Sequence, residues 1–427
     1  MKKRLYVMFT AAIIPVLLLT ACGPGKVAES KLERASNPDV AASDLEQLVA
    51  GNTAFAFDLY KVIRSSGGNM VYSPYSISLA FAMAYGGARS ETATQMADVL
   101  HYTLSGDQFH PTFNALDLDL AQRTDQTTGV DEKERFQLSI TNSLWGQDGW
   151  PFLPEYLDLL AINYGAGMRL VDFENAPESA RRQINDWVSD QTHKRIKDII
   201  PPGVINPSTR MILANAIYFK ATWEYEFEAN KTGEKPFYLI NGEPASVTMM
   251  EIGHQKNLSY AVGDGWQAVA LPYKGGLTEM VVIVPDAGNF ETFESTLTAE
   301  RYREILAVME SQEVILSMPK FSFETQFGLK DILAGRMGMQ DAFDPQAADF
   351  SGIDGQQDLF ISDAIHKAFI ALDEKGTEAA AATVVIMGMG ALMPEGITLT
   401  IDRPFFYVIR DIPTGTILFM GRVVDPR

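Results

Sequence analysis

Apolar positions along the chain change their spacing several times, and each change marks an element. From Leu45 to Ile63 they recur at helical spacing and stop at Gly67-Gly68, which predicts an amphipathic helix ended by glycine. Ser73-Pro74 opens a second helix, with proline in the first turn and Ala, Met and Leu on its buried side. Leu138 to Gln147 alternates with period two, a strand that reads on to Trp150-Pro151-Phe152. Ala180 to Asp198 is helical in period and meets a stop at Pro201-Pro202-Gly203. Met211 to Lys220 predicts a buried strand with a single polar residue inside it, Asn215. A buried amide without hydrogen-bond partners costs about 1–3 kcal/mol, so Asn215 needs neighbours. Val314 to Phe323 again reads as strand, and Arg403 to Pro426 as two strands turned at Pro413 to Gly415.

One stretch fits neither period. Asp373 to Thr383 reads Asp-Glu-Lys-Gly-Thr-Glu-Ala-Ala-Ala-Ala-Thr, and an apolar run follows from Val384 to Met393. Alanine is the best helix former and Thr377 with Glu378 makes an acceptable helix start, but no apolar face backs a helix there. Beyond Thr383 the β-branched residues favour extended backbone and two glycines loosen it. Composition permits a short surface helix followed by a buried strand. It also permits a segment hinged at Gly376 whose tiny alternate side chains slide between two existing strands without overpacking the layer beneath.

The N-terminus is organised differently. Lys2, Lys3 and Arg4 precede an apolar run from Leu5 to Leu19, the layout of an export signal. At roughly 17 apolar residues the run is barely long enough to span a bilayer, and Pro15 interrupts it. It ends in Leu19-Thr20-Ala21-Cys22, which resembles a bacterial lipobox. The resemblance implies cleavage after residue 21 and lipid on the new N-terminal cysteine; an ordinary secretory signal or an uncleaved anchor are the alternatives. Gly23 after the cysteine resembles the pattern sent on to an outer membrane. The expected localisation is therefore export and anchorage to the cell envelope, at the outer membrane or cell surface. Residues 22 to 44 turn to Gly, Pro, Ser, Lys, Glu and Asn and read as a flexible tether, with a short surface helix as the alternative around Ala28 to Ala35. The folded domain is expected from 45 to 427, with no second linker and no internal repeat.

Cys22 is the only cysteine, which excludes an internal disulfide and any cysteine-based metal site. Hydrophobic residues make up 46% of the chain, enough for a large core, so stability must come from packing. The formal net charge of −19 repels polyphosphates, and the densest basic spots, Arg181-Arg182 and Lys194-Arg195-Lys197, are interleaved with aspartates and read as solvated helix faces. No nucleic-acid partner is expected. The inventory also argues against an enzyme. There is no Gly-x-Ser-x-Gly elbow, no His-Glu-x-x-His and no phosphate-cradling glycine loop, and the five histidines are scattered. No cofactor or metal site is indicated.

Ile361 to Thr383, reading Ile-Ser-Asp-Ala-Ile-His-Lys-Ala-Phe-Ile-Ala-Leu-Asp-Glu-Lys-Gly-Thr-Glu-Ala-Ala-Ala-Ala-Thr, closely resembles the hinge of the serpins, where the reactive loop begins. Asn69 to Met96 resembles the serpin segment beneath the main sheet, Arg182 to Asp198 the helix across its front, and Arg403 to Pro426 the serpin C-terminus. The likeness covers the whole chain beyond the tether. It implies an α+β, single-domain fold of three β-sheets and about eight to nine helices, with an exposed reactive-centre loop and a monomeric state.

The resemblance also implies a mechanism and its residues. A serine protease, or a cysteine protease, attacks the loop as a suicide substrate, and the freed end inserts into the main sheet. The hinge comprises Glu374, Gly376, Thr377, Glu378, Ala379, Ala380, Ala381, Ala382 and Thr383, with Thr377, Ala379, Ala381 and Thr383 facing inward. A sheet-opening cluster of Asn69, Ser73, Ser76, Asn215 and His366 is implied, with Trp223 where the loop first enters. His366 beside two serines mimics a nucleophile and base, but no buried carboxylate is evident to orient it. Family spacing sets the cut between Gly390 and Ala391, which suits elastase-like or subtilisin-like targets; one residue of slippage makes Met389 the reactive residue. Some serpins bind heparin through a basic helix, but the corresponding Asp107 to Arg123 holds one arginine among acids, so polyanion activation is not implied. The alternative function is a serpin-fold protein that binds a partner without inhibiting a protease.

Overall fold

The computed structural model describes residues 25–104, 106–126, 137–253, 256–377 and 396–427. Its main sheet has seven strands. In spatial order they are β1 (Val27–Ala28), β4 (Met168–Val171), β3 (Gln137–Gln147), β5 (Met211–Thr222), β14 (Gly376–Thr377), β13 (Ile361–Leu372) and β12 (Phe321–Gly328). The second sheet begins with β2 (Met70–Tyr72), β17 (Ile417–Val423), β16 (Phe405–Asp411), β10 (Thr278–Pro285) and β9 (Trp266–Pro272). It continues through β8 (Lys256–Gly263), β11 (Glu310–Pro319), β7 (Pro244–Glu251) and β6 (Gly233–Tyr238), while β15 (Ile397–Thr400) pairs with β11. The second and third sheets expected from the resemblance are continuous here, because β11 bonds to β7, β8 and β15 at once.

Ten α-helices lie among the described residues: α1 (Ala42–Ile63), α2 (Pro74–Tyr85), α3 (Ser90–Leu100), α4 (Gly106–Gln126), α5 (Pro154–Tyr164), α6 (Pro177–Gln191), α7 (Phe290–Ser295), α8 (Ala299–Ala307) and the single turns α9 (Leu329–Ile332) and α10 (Ser351–Asp354). Ser73 caps α2 as expected, its hydroxyl accepting from the Ser76 amide with Pro74 in the first turn. Helix α2 packs against β3 and β5 on one side and β17 on the other, so it is buried nearly all round.

Two boundaries differ from the sequence reading. Helix α6 ends at Gln191, not at Asp198, because the Thr192 hydroxyl takes the Val188 carbonyl and His193 and Lys194 turn left-handed at φ 50° and 63°. The stretch that follows lies across the front of the main sheet, with Ile196, Ile199 and Ile200 buried against Ala214 and Ala216 of β5 and Ile365 of β13. The run from Val314 to Phe323 is two strands. The chain changes sheet at Lys320, directly after Pro319, which has no amide to continue a ladder.

The single arginine in the last turns of α4 is not a surface charge. Arg123 donates from Nε to Asp411 at 2.7 Å, and both side chains are buried, Arg123 at 4% exposure and Asp411 at 0%. Asp411 also accepts from the Thr414 amide and hydroxyl, so it ties α4 to the β16–β17 turn. Asp411→Ala should lower unfolding stability by about 3 kcal/mol, since it removes a fully buried carboxylate partner from a buried guanidinium. Denaturant melts of the variant, with Asp119→Ala at the exposed end of the same network as the mild comparison, check this.

Residues 25 to 41, read above as tether, are laid against the body. Val27 and Ala28 pair antiparallel with Arg169 and Met168 on the open edge of β4. Gly167 makes the approach possible: a Cβ there would meet the Ala28 carbonyl oxygen at 2.6 Å. Further on, Arg34 donates to Asn114 and Asp117, both at 2.7 Å, and the Ala35 amide donates to the Ile162 carbonyl at 2.9 Å.

Candidate functional site

The geometry of interest is the seam between β5 and β13. Over most of their length these strands pair directly and in parallel, from Ile361↔Met211 to Ala368↔Ile217. Above that point they part, and β14 fills the gap. The chain leaves β13, turns through Asp373 to Lys375 and comes back down, with Gly376↔Thr222 and Thr377↔Ala221 antiparallel to β5 and Thr377↔Leu372 antiparallel to β13.

The turn is held from every side. The Asp373 carboxylate accepts from the amides of Lys375 and Gly376 at 2.9 and 3.2 Å. Burial pushes its pKa up against those two bonds. The Trp223 amide donates to the Lys375 carbonyl and the Phe227 amide to the Glu374 carbonyl, both at 2.8 Å. Trp223 Nε1 donates to the Asp373 carbonyl at 3.1 Å. Lys320 pairs with Glu374 at 2.9 Å; burial is the largest single influence and opposes the Glu374 charge, but the Lys320 hydrogen bond, the Lys320 charge and further hydrogen bonds together outweigh it and leave the pKa below the ordinary value. At position 376 a Cβ would sit 2.0 Å from the Ala221 carbonyl oxygen, so only glycine fits.

Thr377 points into the core. Its side chain shares a hydrogen bond of 2.7 Å with the Tyr273 hydroxyl, and it is 1% exposed. Tyr273 in turn stacks on Trp223 with ring centroids 4.4 Å apart. Trp223 therefore sits where the returning chain enters the sheet.

About 20 Å further down the seam, six residues of β5 from Ala221, lies the polar cluster. The Ser73 amide donates to His366 Nε2 at 3.1 Å, which leaves Nδ1–H to face Asn215 Oδ1. Asn215 Nδ2 reaches the Ser76 carbonyl at 2.7 Å, the Ser76 hydroxyl at 2.6 Å and Asn142 Oδ1. The cluster thus bolts β13, β5 and β3 to the helix beneath them. It is not a hydrolytic triad, because His366 faces an amide and a backbone N–H rather than a carboxylate and a nucleophile.

Asn69, expected in this cluster, is elsewhere. Its amide donates to the Asp425 carbonyl and accepts from the amides of Val424 and Asp425, so it fastens the C-terminus instead. Asn142 takes its place and was not anticipated. The signal was present, since the alternation of Leu138, Ile140 and Leu144 makes 142 an inward position where an apolar residue is due. Its Nδ2 is buried without a partner among the described residues. Cys22, Glu378 to Thr383, Met389, Gly390 and Ala391 lie outside the described residues. Among the described residues no group of three or more His, Cys, Asp or Glu is placed to hold a metal ion.

Burial lowers the His366 pKa to about 3. The unfolded imidazole titrates near ~6.5, so between those values the unfolded chain binds a proton that the folded one refuses. Stability is full above pH ~6.5 and declines toward pH 3, by up to about 1.4 kcal/mol per pH unit from this group. His110, lowered to about 4 by burial, adds a second proton of the same sign. Urea melts between pH 7 and 4 should show this slope, and His366→Gln should flatten it by about one proton. An unchanged slope in that variant would place the acid sensitivity elsewhere.

Comparisons with known proteins agree on one family. The family model described as Serpin (serine protease inhibitor) matches residues 50–426. An uncharacterised serpin-like protein of Thermococcus kodakarensis is 40% identical over 376 residues, covering 88% of this chain and 84% of that protein. Human leukocyte elastase inhibitor is 36% identical over 391 residues, covering 90% of this chain and all of that protein. Among solved structures, the thermophilic serpin tengpin in its native state superposes with a TM-score of 0.79 at 28% identity, covering 93% of this chain and 97% of that one. Uncleaved ovalbumin gives 0.77 at 28%, covering 89% of this chain and all of that one. The fold is the α+β serpin fold, and the chain belongs to the serpin family.

Proposed function

We propose that the chain inhibits serine-type endopeptidases, and cysteine-type ones by the same acyl-enzyme route, as a suicide substrate whose cut loop inserts into the main sheet. The observation that carries this reading is Thr377, already seated between β5 and β13 in antiparallel register with both. Carrying that register onward sets Ala379 opposite Phe219 and Ile370, and Ala381 opposite Ile217 and Ala368. Thr383 then falls opposite Asn215 and His366, so the one hydroxyl on the remaining inward positions arrives at the polar cluster. Glu378 faces out by alternation. No inward side chain is large or charged, so entry overpacks nothing.

The energetics favour entry. Roughly ten residues gain ladders on two sides while β5 and β13 give up one, which at about 1 kcal/mol per net hydrogen bond supplies a drive on the order of 10 kcal/mol. Dragging a bound protease by even ~1 Å from its productive geometry costs about a hundredfold in its rate. The intact chain is then held by a kinetic barrier rather than by its free-energy minimum. We place the cut between Gly390 and Ala391, with Met389 as the alternative reactive residue, and favour elastase-like or subtilisin-like targets; named relatives are leukocyte elastase inhibitors.

We further propose that Cys22 carries lipid and anchors the chain to the cell envelope. Its support is the Leu19-Thr20-Ala21-Cys22 sequence behind an apolar run. Palmitate labelling that persists in Cys22→Ser would refute it. For inhibition, the test is titration against elastase-, subtilisin-, chymotrypsin- and cathepsin-type enzymes, with denaturing gels for adducts. One-to-one covalent complexes are expected, and mass spectrometry of the C-terminal piece should find Ala391 at its start. Binding without cleavage or adduct across the panel would instead mark a non-inhibitory serpin-fold protein.

A further inference from the structure

We propose that the docked N-terminal segment fixes which way the molecule faces on a lipid surface: the far pole of the main sheet lies toward the bilayer, and the hinge pole, where Gly376 enters, points away. This rests on the lipid reading of Cys22 for its biological setting, though not for its test.

The direction follows from strand polarity. β5 runs from Met211 at one pole to Thr222 at the hinge pole, where Gly376 enters. β3 is antiparallel to β5, β4 is parallel to β3, and β1 is antiparallel to β4, so β1 runs toward the hinge pole. The chain therefore comes in from the pole farthest from the hinge. Val27 is level with Arg169, Trp145 and Ile212, ten residues of β5 below Thr222, which is a separation of about 33 Å.

The segment is also held fast at its lower end. The Leu170 amide donates to the Lys26 carbonyl at 2.8 Å, and the Lys26 ammonium pairs with Asp148, just past the far end of β3. Ser30 donates to Asp158, and Arg34 to Asn114 and Asp117. Because Lys26 is tied down, the chain between it and Cys22 can reach at most about 14 Å, whereas the stretch to residue 44 would reach about 75 Å if it were free. The whole chain carries a formal net charge of −19, and its body, without Lys2, Lys3 and Arg4, is more acidic still; it is not drawn flat onto an anionic bilayer, so the leash decides its attitude. The hinge at Gly376 then stands some 30–50 Å off the surface, within reach of proteases arriving from solvent and out of reach of an active site lying at the headgroups.

The experiment uses the chain from residue 22 with Cys22→Ser and an N-terminal histidine tag, held on nickel-chelating vesicles that contain a quencher lipid. A dye is attached through Ser208→Cys, exposed just before β5 at the far pole, or through Glu224→Cys, exposed just past its hinge end. Quenching at 208 should exceed that at 224 by at least threefold, and twenty Gly/Ser residues inserted between Gly25 and Lys26 should abolish the difference. Equal quenching on the native leash, or stronger quenching at 224, would overturn the orientation. Because the tag replaces the lipid, failed palmitate labelling sinks only the anchor, while equal quenching sinks only this inference.

Discussion

Thr377→Arg is expected to convert the chain from an inhibitor into a substrate, with covalent complex falling at least tenfold and cleaved loop rising in its place. Thr377 is 1% exposed, and its hydroxyl meets that of the fully buried Tyr273. An arginine there must either bring a charge into the core without a partner, at a cost of several kcal/mol, or hold the hinge out of the gap. The second outcome is the cheaper, so the first step of insertion stalls. In the proposed mechanism insertion competes with water for the acyl-enzyme once the loop is cut, and a stalled hinge loses that race. The loop lies away from residue 377 along the chain, so the rate of first attack should change little. Titration against the best protease of the panel, read on a denaturing gel, separates the two fates. Adduct at the parental yield would mean that the protease is trapped by something other than entry of this strand.

Part of this site could be read from residues. The β5 pattern exposes Asn215 as a buried amide in need of partners, but Ser76 and His366 are named only through the serpin resemblance; the structure places both within hydrogen-bond reach of Asn215. Gly376 is legible as a hinge because it breaks the chain between charged and tiny residues, and the structure adds the reason, since any side chain there would strike the Ala221 carbonyl. The place of Trp223 comes from the resemblance, because a tryptophan at a strand end is by itself only core.

What escaped depends on long-range contacts. Residues 25 to 41 have no apolar face, and their bonds go to groups more than 40 residues away, such as Asp148, Asp158 and Asp117; nothing local distinguishes them from a tether. Asn69 has the right residue type for the cluster, but the side chain is captured by the C-terminal strand's end. Helix α6 keeps its apolar spacing beyond Gln191, yet Thr192 diverts the backbone, and the isoleucines that looked like a helix face instead cover the β5–β13 seam. That cover is hydrogen-bonded on one side of the seam, where Lys367 of β13 donates to the Lys197 carbonyl at 3.2 Å and Gln326 of β12 to the Ile199 carbonyl at 3.1 Å. On the other side it meets β5 through packing, the isoleucines on Ala214 and Ala216 and the His193 ring on Tyr218. In the proposed mechanism a strand that widens the gap between β5 and β13 has to shear this packing, which adds to the barrier against insertion.

The second large effect is on stability after a cut. In the proposed mechanism a nick near Gly390, made by a protease that escapes inhibition, frees the segment that follows Thr377 to be drawn down the seam past Asn215 and His366. A gain on the order of 10 kcal/mol corresponds to a rise in melting temperature of about 10–20 °C for a domain of this size. The measurement is a pair of thermal melts, intact against nicked, at the same pH and concentration, with the cut verified by mass. The nicked chain should melt higher by at least that margin. If it melts at the same temperature or below, no strand has entered the sheet, and the trapped-spring mechanism does not operate in this protein.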